Sequence, residues 1–245
     1  MSKKINKELS FVSGINGCYH LLISKKFKIY QIDLMVDGPA VNNKKIKNLF
    51  TNKYTYYNMP KKQFLNKYKN LRTQGVVIYF YWTLFKTNIN SINQDCYILL
   101  DRVEDPQNLG QILRTCDGAG VQNVIIPSKN SCPITNTVLQ VSQGAFTNVY
   151  VYKINDIINE IKRFKKNQYK VIAIENTKSK KAWHSVLLGE KNLLIFGSEG
   201  FGIDKRILKY CDEVCSIPMQ GVVNSINVSA TVSAVLYERL RQLGS

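Results

Sequence analysis

Acidic residues are scarce in this chain. Seventeen Asp and Glu stand against 34 Lys and Arg, a net charge of +17 at pH 7, and only Glu8, Asp33 and Asp37 fall within residues 1–90. Such an imbalance suits a polyanionic partner, because bound phosphates release condensed counterions. Lys and Asn are abundant along the whole chain, so charge by itself favours nucleic acid only modestly. No apolar run approaches the roughly 20 residues that cross a bilayer, and Met1–Glu8 has no apolar signal core; the expected location is cytoplasmic, away from membranes. The six cysteines have neither disulfide nor zinc spacing, and His20 and His184 are the only histidines that could join them. Reduced, partly buried thiols and no metal are expected. With 44% hydrophobic and 21% charged residues, the composition excludes disorder, collagen and coiled coil.

What is present has two textures. Residues 1–85 are rich in Lys, Tyr and Asn and read as a small α/β domain. The pattern predicts a helix over Gly17–Ile23, a strand over Tyr30–Val36, a polar helical stretch over Val41–Phe50, a helix over Lys61–Lys69 and a buried strand ending at Trp82. Residues 86–95 are polar and unperiodic, as a linker would be. From Cys96 to Ser245 strands and helices alternate, and Tyr97–Leu100, Lys170–Ile174 and Asn192–Phe196 show no polar alternation. Strands of that kind lie in a parallel sheet covered on both faces, whose ligands bind at the carboxyl ends of the strands.

Three strand-end loops in this second part are unusual. The first runs Asp101-Arg-Val-Glu-Asp-Pro-Gln-Asn-Leu-Gly-Gln-Ile-Leu-Arg114. Asn108 can cap the helix that starts there, and Arg114 sits just over one turn further, able to lean back over the loop and grip a phosphate bidentately. The second, Phe196-Gly-Ser-Glu-Gly-Phe-Gly202, carries glycines at 197, 200 and 202 but matches neither G-x-G-x-x-G nor a P-loop. Glu199 in its centre would repel phosphate, so a neutral or cationic ligand such as adenosine with a sulfonium fits better. The third, Ser216-Ile-Pro-Met-Gln-Gly-Val-Val-Asn-Ser-Ile-Asn-Val-Ser229, leads into a helix capped at Ser225 or Asn227. Singly, each polar residue is explained as a cap or a solvated side chain. As a set they are not.

Together the three loops resemble the three motifs of the SpoU (TrmH-like) family of RNA ribose 2′-O-methyltransferases, in the SPOUT class, over residues 96–245. In the first part, Val12-Ser-Gly-Ile-Asn-Gly17 and Thr73-Gln-Gly-Val-Val77 resemble the opening and close of the small domain found in the branch that modifies guanosine of large-subunit rRNA. That domain is similar to ribosomal protein L30e and is associated with RNA binding. Thr73 stands where that branch has His. The resemblance implies an α/β fold with a deep C-terminal trefoil knot, a homodimer, and S-adenosylmethionine (SAM) as cofactor. It implies Gly197, Ile217, Met219 and Ile226 as the cofactor cradle, and Asn108, Arg114, Glu199, Ser225 and Asn227 around the reaction site.

The chemistry is consistent with that implication. A ribose hydroxyl is a weak nucleophile that must be oriented and relieved of its proton, whereas a sulfonium methyl needs no metal. A guanidinium is a poor general base, so phosphate binding is the role expected of Arg114. Large-subunit rRNA is the expected substrate. The alternatives are the same reaction on tRNA and a ribosome-associated RNA-binding protein without catalysis. A Rossmann-type methyltransferase would carry its Gly-rich loop after the first strand instead.

Overall fold

The computed structural model describes residues 8–50, 54–82, 89, 91–176, 181–189 and 191–244. Two compact units emerge: Met1–Leu84 with Ile134–Asn148, and Phe85–Pro133 with Val149–Ser245. The stretch expected to be a linker, 86–95, falls partly outside the described residues, as does the start of the chain.

The first unit opens with strand β1 (Glu8–Ser13), helix α1 (Ile15–Ser24), β2 (Lys28–Met35), two single-turn helices α2 (Pro39–Asn42) and α3 (Lys44–Lys47), β3 (Tyr56–Met59), α4 (Lys61–Lys67) and β4 (Val76–Trp82). The helical stretch expected over Val41–Phe50 is broken at Asn43. Its backbone is extended, and its side chain caps the next turn by accepting from Lys45 N at 3.0 Å, the local competition typical of Asn. The sheet order is β1-β4-β2-β3, antiparallel except for β2 with β3. On one face, Val12, Ile32, Ile78 and Phe80 are fully buried, and α1 packs toward β1 and β4. The other face is covered by α4 at one end, where Phe64 and Tyr68 pack with Met35 and Val77.

That end encloses Asp33, which is fully buried. Its carboxylate accepts from Gln31 Nε2 at 2.5 Å, from Lys67 Nζ at 2.6 Å and from the Tyr68 hydroxyl. Burial and the Asp33 carboxylate push the Tyr68 phenol well above its usual range, so the phenol stays a proton donor.

The second unit begins with β5 (Cys96–Asp101), α5 (Pro106–Gly118) and β6 (Asn123–Pro127). The chain then leaves it for 134–148, where α6 (Asn136–Val141) and a 3₁₀ turn (Ala145–Thr147) pack with the first unit. Phe146 stacks on Phe80 at 5.7 Å, and Asn136 Oδ1 accepts from Phe11 N at 3.3 Å. The second unit resumes with β7 (Tyr150–Ile154), α7 (Ile157–Lys166), β8 (Lys170–Ile174), β9 (Lys181–Ala182), β10 (Asn192–Gly197), α8 (Lys205–Leu208), β11 (Glu213–Ser216) and α9 (Val228–Gln242).

Its seven strands run in the order β7-β6-β5-β10-β8-β11-β9, and every pairing is parallel. The expected α/β class with a mainly parallel sheet is what the structure has. β5 is buried along its whole length and β10 except for its last residue, as unalternating apolar strands require. Of the residues 86–95 expected as a linker, Ile89 is buried in this unit's core, and the Tyr169 hydroxyl donates to Gln94 O. Ile92 packs against the same core. None of the described helices is long and apolar enough to cross a membrane.

Candidate active site

Three loops leave the carboxyl ends of β5, β10 and β11, and the packing of the parallel sheet brings them together. After β5, Asp105 caps α5, its carboxylate accepting from Gln107 N at 2.8 Å. The cap is therefore Asp105 and not Asn108. Asn108 lies in the first turn of α5 with its side chain free to reach the neighbouring loop, and its Nδ2 donates to Glu199 Oε1 at 3.0 Å.

After β10 the chain makes a tight turn closed by a bridge between Ser198 and Gly202. Gly202 N donates to Ser198 O at 2.9 Å, and Phe201 N to Ser198 Oγ at 3.3 Å. Two glycines have strict reasons. A Cβ on Gly197 would lie 2.2 Å from the Gly202 carbonyl carbon and 2.4 Å from Ile203 N. Gly202 has φ +62°, and a Cβ there would sit 2.6 Å from Glu175 Oε1, a position closed to larger residues.

The turn is held from two sides by carboxylates at strand ends. Glu175, after β8, accepts from Ile203 N at 2.6 Å; Asp101, at the end of β5, accepts from Asp204 N at 2.8 Å. Arg102 joins the two loops, donating to Asp101 Oδ2 and to Gly202 O, both at 3.2 Å, with its guanidinium 5.8 Å from the Phe201 ring centre. Asp204 caps α8, and its hydrogen bond from the Arg206 side chain holds the carboxyl at about 2, below its ordinary 3.8.

After β11 the third loop runs exposed to Asn227, which caps α9. Asn227 Oδ1 accepts from Ser229 N at 2.8 Å and Ala230 N at 3.4 Å. Its Nδ2 faces the other way, donating to Asn108 Oδ1 at 2.8 Å and to Glu199 Oε1. One residue from each loop thus closes a three-membered hydrogen-bonded ring, Asn108–Glu199–Asn227, with both amides donating to a single carboxylate oxygen. A carboxylate gripped by two amides is fixed in direction.

Two hollows meet at Glu199 of the ring, and Asn108 lines one of them. The first, about 340 Å³, is lined by Gly197, Glu199, Ile217, Met219, Ser225 and Ile226, together with Glu175 and Asn176. It therefore gathers all four residues expected to cradle a cofactor, and two expected at the reaction site. The second, about 510 Å³, is lined by Arg102 to Asp105, Asn108, Asn130, Ser198 to Phe201 and Val228. Glu199 and Phe201 border both, and Phe201 is 82% exposed.

Asn227 lines neither hollow but is bonded into the ring, whereas Arg114 stands apart from both. It lies on the exposed side of α5, six residues after Asn108, and lines neither hollow. Six residues correspond to about 240° around a helix axis, which turns the two side chains to different faces. The polar residues Thr231 and Ser233 of α9 are satisfied within the chain: Ser233 Oγ donates to Ser229 O at 2.8 Å and lies 2.9 Å from Thr115 Oγ1, and Thr231 Oγ1 donates to Asn227 O at 3.1 Å. Sequence reasoning had missed Asp101, Arg102, Glu175, Asn176 and Phe201. The signal was available for Glu175 and Asn176, the first polar residues after a buried strand. It was weaker for Arg102, whose φ of +59° is set by the turn.

The fold matches solved methyltransferases. Superposition on an RNA 2′-O ribose methyltransferase gives a TM-score of 0.81 at 20% identity over 97% of this chain and 90% of the other. The SpoU methyltransferase AviRb from Streptomyces viridochromogenes, solved in complex with AdoMet, gives 0.78 at 18% identity over 96% of this chain and 90% of that one. At these identities the likeness is one of fold. The sequence model of the SpoU rRNA Methylase family matches residues 95–237, so the chain belongs to that family. A Staphylococcus saprophyticus protein named as a TrmH family tRNA/rRNA methyltransferase is 38% identical over 145 residues, 59% of this chain and 58% of the relative. The matched region thus spans a little over half the length of that relative.

Proposed function

We propose that this chain transfers a methyl group from SAM to a ribose 2′-hydroxyl of RNA, in the cytoplasm, with a guanosine of large-subunit rRNA as the target. The observation that carries the reading is the Asn108–Glu199–Asn227 ring, at whose Glu199 the two hollows meet. One hollow suits the cofactor and the other the nucleotide.

The residues of the first hollow fit SAM on their own chemistry. Gly197 lets the turn that walls the hollow close, since a Cβ there would meet the Gly202–Ile203 backbone, Ile217, Met219 and Ile226 offer apolar walls for a purine, and Glu199 supplies the negative charge that suits a sulfonium. When bound, SAM supplies a methyl group already activated by that sulfonium. The chain's own work is then to orient the hydroxyl and hold its proton. Glu199, aimed by Asn108 and Asn227, lies at the border of the hollows for this, and Ser225 lines the cofactor side. Arg114 binds the RNA phosphate beside the hydroxyl, a role suited to a bidentate, permanently charged fork.

The exposed position of Arg114, outside both hollows of its own chain, suits a site completed by a second copy in a homodimer. Exposed apolar residues of the third loop, Val222 at 99% and Val223 at 62%, fit a surface that another copy covers. Residues 1–85 are the RNA-recognising domain, and the C-terminal strands and loop of residues 96–245 form the trefoil knot. The test is methyl transfer from labelled SAM to unmodified large-subunit rRNA with tRNA alongside. Label in rRNA is expected; label in tRNA alone would keep the chemistry and overturn the substrate; label in neither would overturn both.

A further inference from the structure

Among the described residues, one end of a sheet face in the first unit carries exposed side chains. On the face of its sheet that bears α4, register places Leu9 opposite Tyr81 and Phe11 opposite Tyr79 across β1 and β4, and Lys28 opposite Tyr81 across β2. A register shift between Ile29 and Gln31 brings Tyr30 to the same side, its ring 5.9 Å from that of Tyr81 and nearly perpendicular to it. α4 covers only the Asp33 end. At the other end Tyr30 remains 52% and Leu9 49% exposed, Tyr81 is half-buried, and Lys28 Nζ lies 6.0 Å from the Tyr81 ring centre. Phe11 and Tyr79 continue the row toward α4, where Lys67 Nζ is 5.8 Å from the Tyr79 ring centre.

Aromatic rings in the open, flanked by lysines, are the composition of a platform for unpaired bases: rings stack on any base, and the cations follow the backbone. The charge of the unit agrees. Residues 1–90 hold 15 Lys and one Arg against three acids. Of those acids, Asp33 is buried under α4 and paired with Lys67 at 2.6 Å, so it places no repulsive charge on the open end. A duplex hides its bases and could use the lysines but not the rings.

We propose that the open end of this sheet face, Tyr30, Tyr81, Lys28 and Leu9 with Tyr79 beside them, binds a single-stranded segment of the substrate RNA by stacking. This rests on the proposed RNA substrate and specifies which form of it the first unit reads. The experiment uses the full-length protein, a fluorescent unstructured RNA of roughly ten nucleotides and a blunt duplex of the same composition. Tyr30→Leu and Tyr81→Leu should each weaken single-strand binding about tenfold. Tyr30→Phe and Tyr81→Phe, which keep the ring and serve as folding controls, should bind as the parent does. Lys28→Gln should lower the slope of log affinity against log salt by about one.

Leu variants that bind like the parent, Phe variants as weak as the Leu ones, or a duplex that outcompetes the single strand would each overturn the proposal. So would loss of a ribosomal protein partner in the Leu variants with RNA affinity intact. The two readings fail separately. Ring-dependent RNA binding without any methyl transfer would keep this surface and sink the enzyme. Methyl transfer with unchanged KM and RNA affinity in the Leu variants would do the reverse.

Discussion

The two units solve different problems with the same kinds of element. In the second, strands are buried on both faces, and polar side chains at their carboxyl ends are locked by one another: Asp101 and Glu175 hold the turn, and Asn108 and Asn227 hold Glu199. In the first, the buried acid Asp33 serves packing, and Tyr30 and Lys28 stay in solvent. Charge follows the same division. Residues 91–245 hold 18 basic and 14 acidic residues, against 16 and three in residues 1–90. On the proposed reading, precision of geometry lies where the reaction would need it, and charge where a long polyanion would be held.

The sharpest way to break this division is at the ring. Asn108→Ala should lower turnover by about 10²- to 10³-fold while leaving the SAM dissociation constant within about threefold, because the residue borders the other hollow. Arg114→Ala should lose most turnover in the same way. If a second copy completes the site, mixing the two inactive variants should restore about a quarter of the parent activity when copies exchange freely. Failure of the mixture to recover any activity would confine Arg114 to its own chain.

Next in size is the cofactor side. Gly197→Val forces a side chain into the Gly202–Ile203 backbone and should weaken SAM binding by about 10- to 100-fold in calorimetry. Unchanged affinity would remove the β10 turn from the cradle.

Stability in alkali should show a smaller effect, and it involves both units. Burial raises the thiols of Cys18, Cys96, Cys116, Cys132 and Cys215 above their ordinary 9.0; Cys96 reaches about 12, and Cys132 and Cys215 about 11. A folded pKa above the unfolded one makes the stabilisation complete below pH 9 and lost progressively as pH rises through 11–12. Denaturation midpoints should therefore fall from pH 9 upward, and these thiols should react slowly with a disulfide reagent at pH 8. Rapid titration of all six in the native protein would contradict this.

The smallest effect is expected in acid. Asp204 and Glu238 are each held at about 2 by arginine partners. Their contribution is present above about pH 4 and fades as pH falls toward 2. It should be weak and salt-sensitive because the arginine partners, Arg206 and Arg241, are solvent-exposed.

Legibility from sequence tracked burial and motif density. The unalternating strands β5, β8 and β10 could be read directly, as could the three loops, since they break ordinary loop composition with Gly, Pro and polar residues at fixed strand ends. Less could be read where a side chain's role depends on a neighbour far along the chain. Asp105 and Asn108 are both good caps by residue type, and only the position of Glu199, 91 residues later, shows which of them is free for other work. β3 is a four-residue edge strand, too short for periodicity. In α6 the buried residues are Val138 and Leu139 alone, and its attachment to the first unit rests on Phe146 and Asn136, which carry no local signal. The open ring face is legible only once register is known, because a bulge near Tyr30 changes which residues share a side.

The central claim is chemical and concerns one oxygen atom. RNA methylated by this protein with labelled SAM should be hydrolysed in alkali and the label followed. Label is expected in an alkali-resistant dinucleotide, because a methylated 2′-oxygen cannot attack the adjoining phosphodiester. Label released as an ordinary mononucleotide would place the methyl on a base and contradict the reading of the Asn108–Glu199–Asn227 ring as a ribose-hydroxyl site.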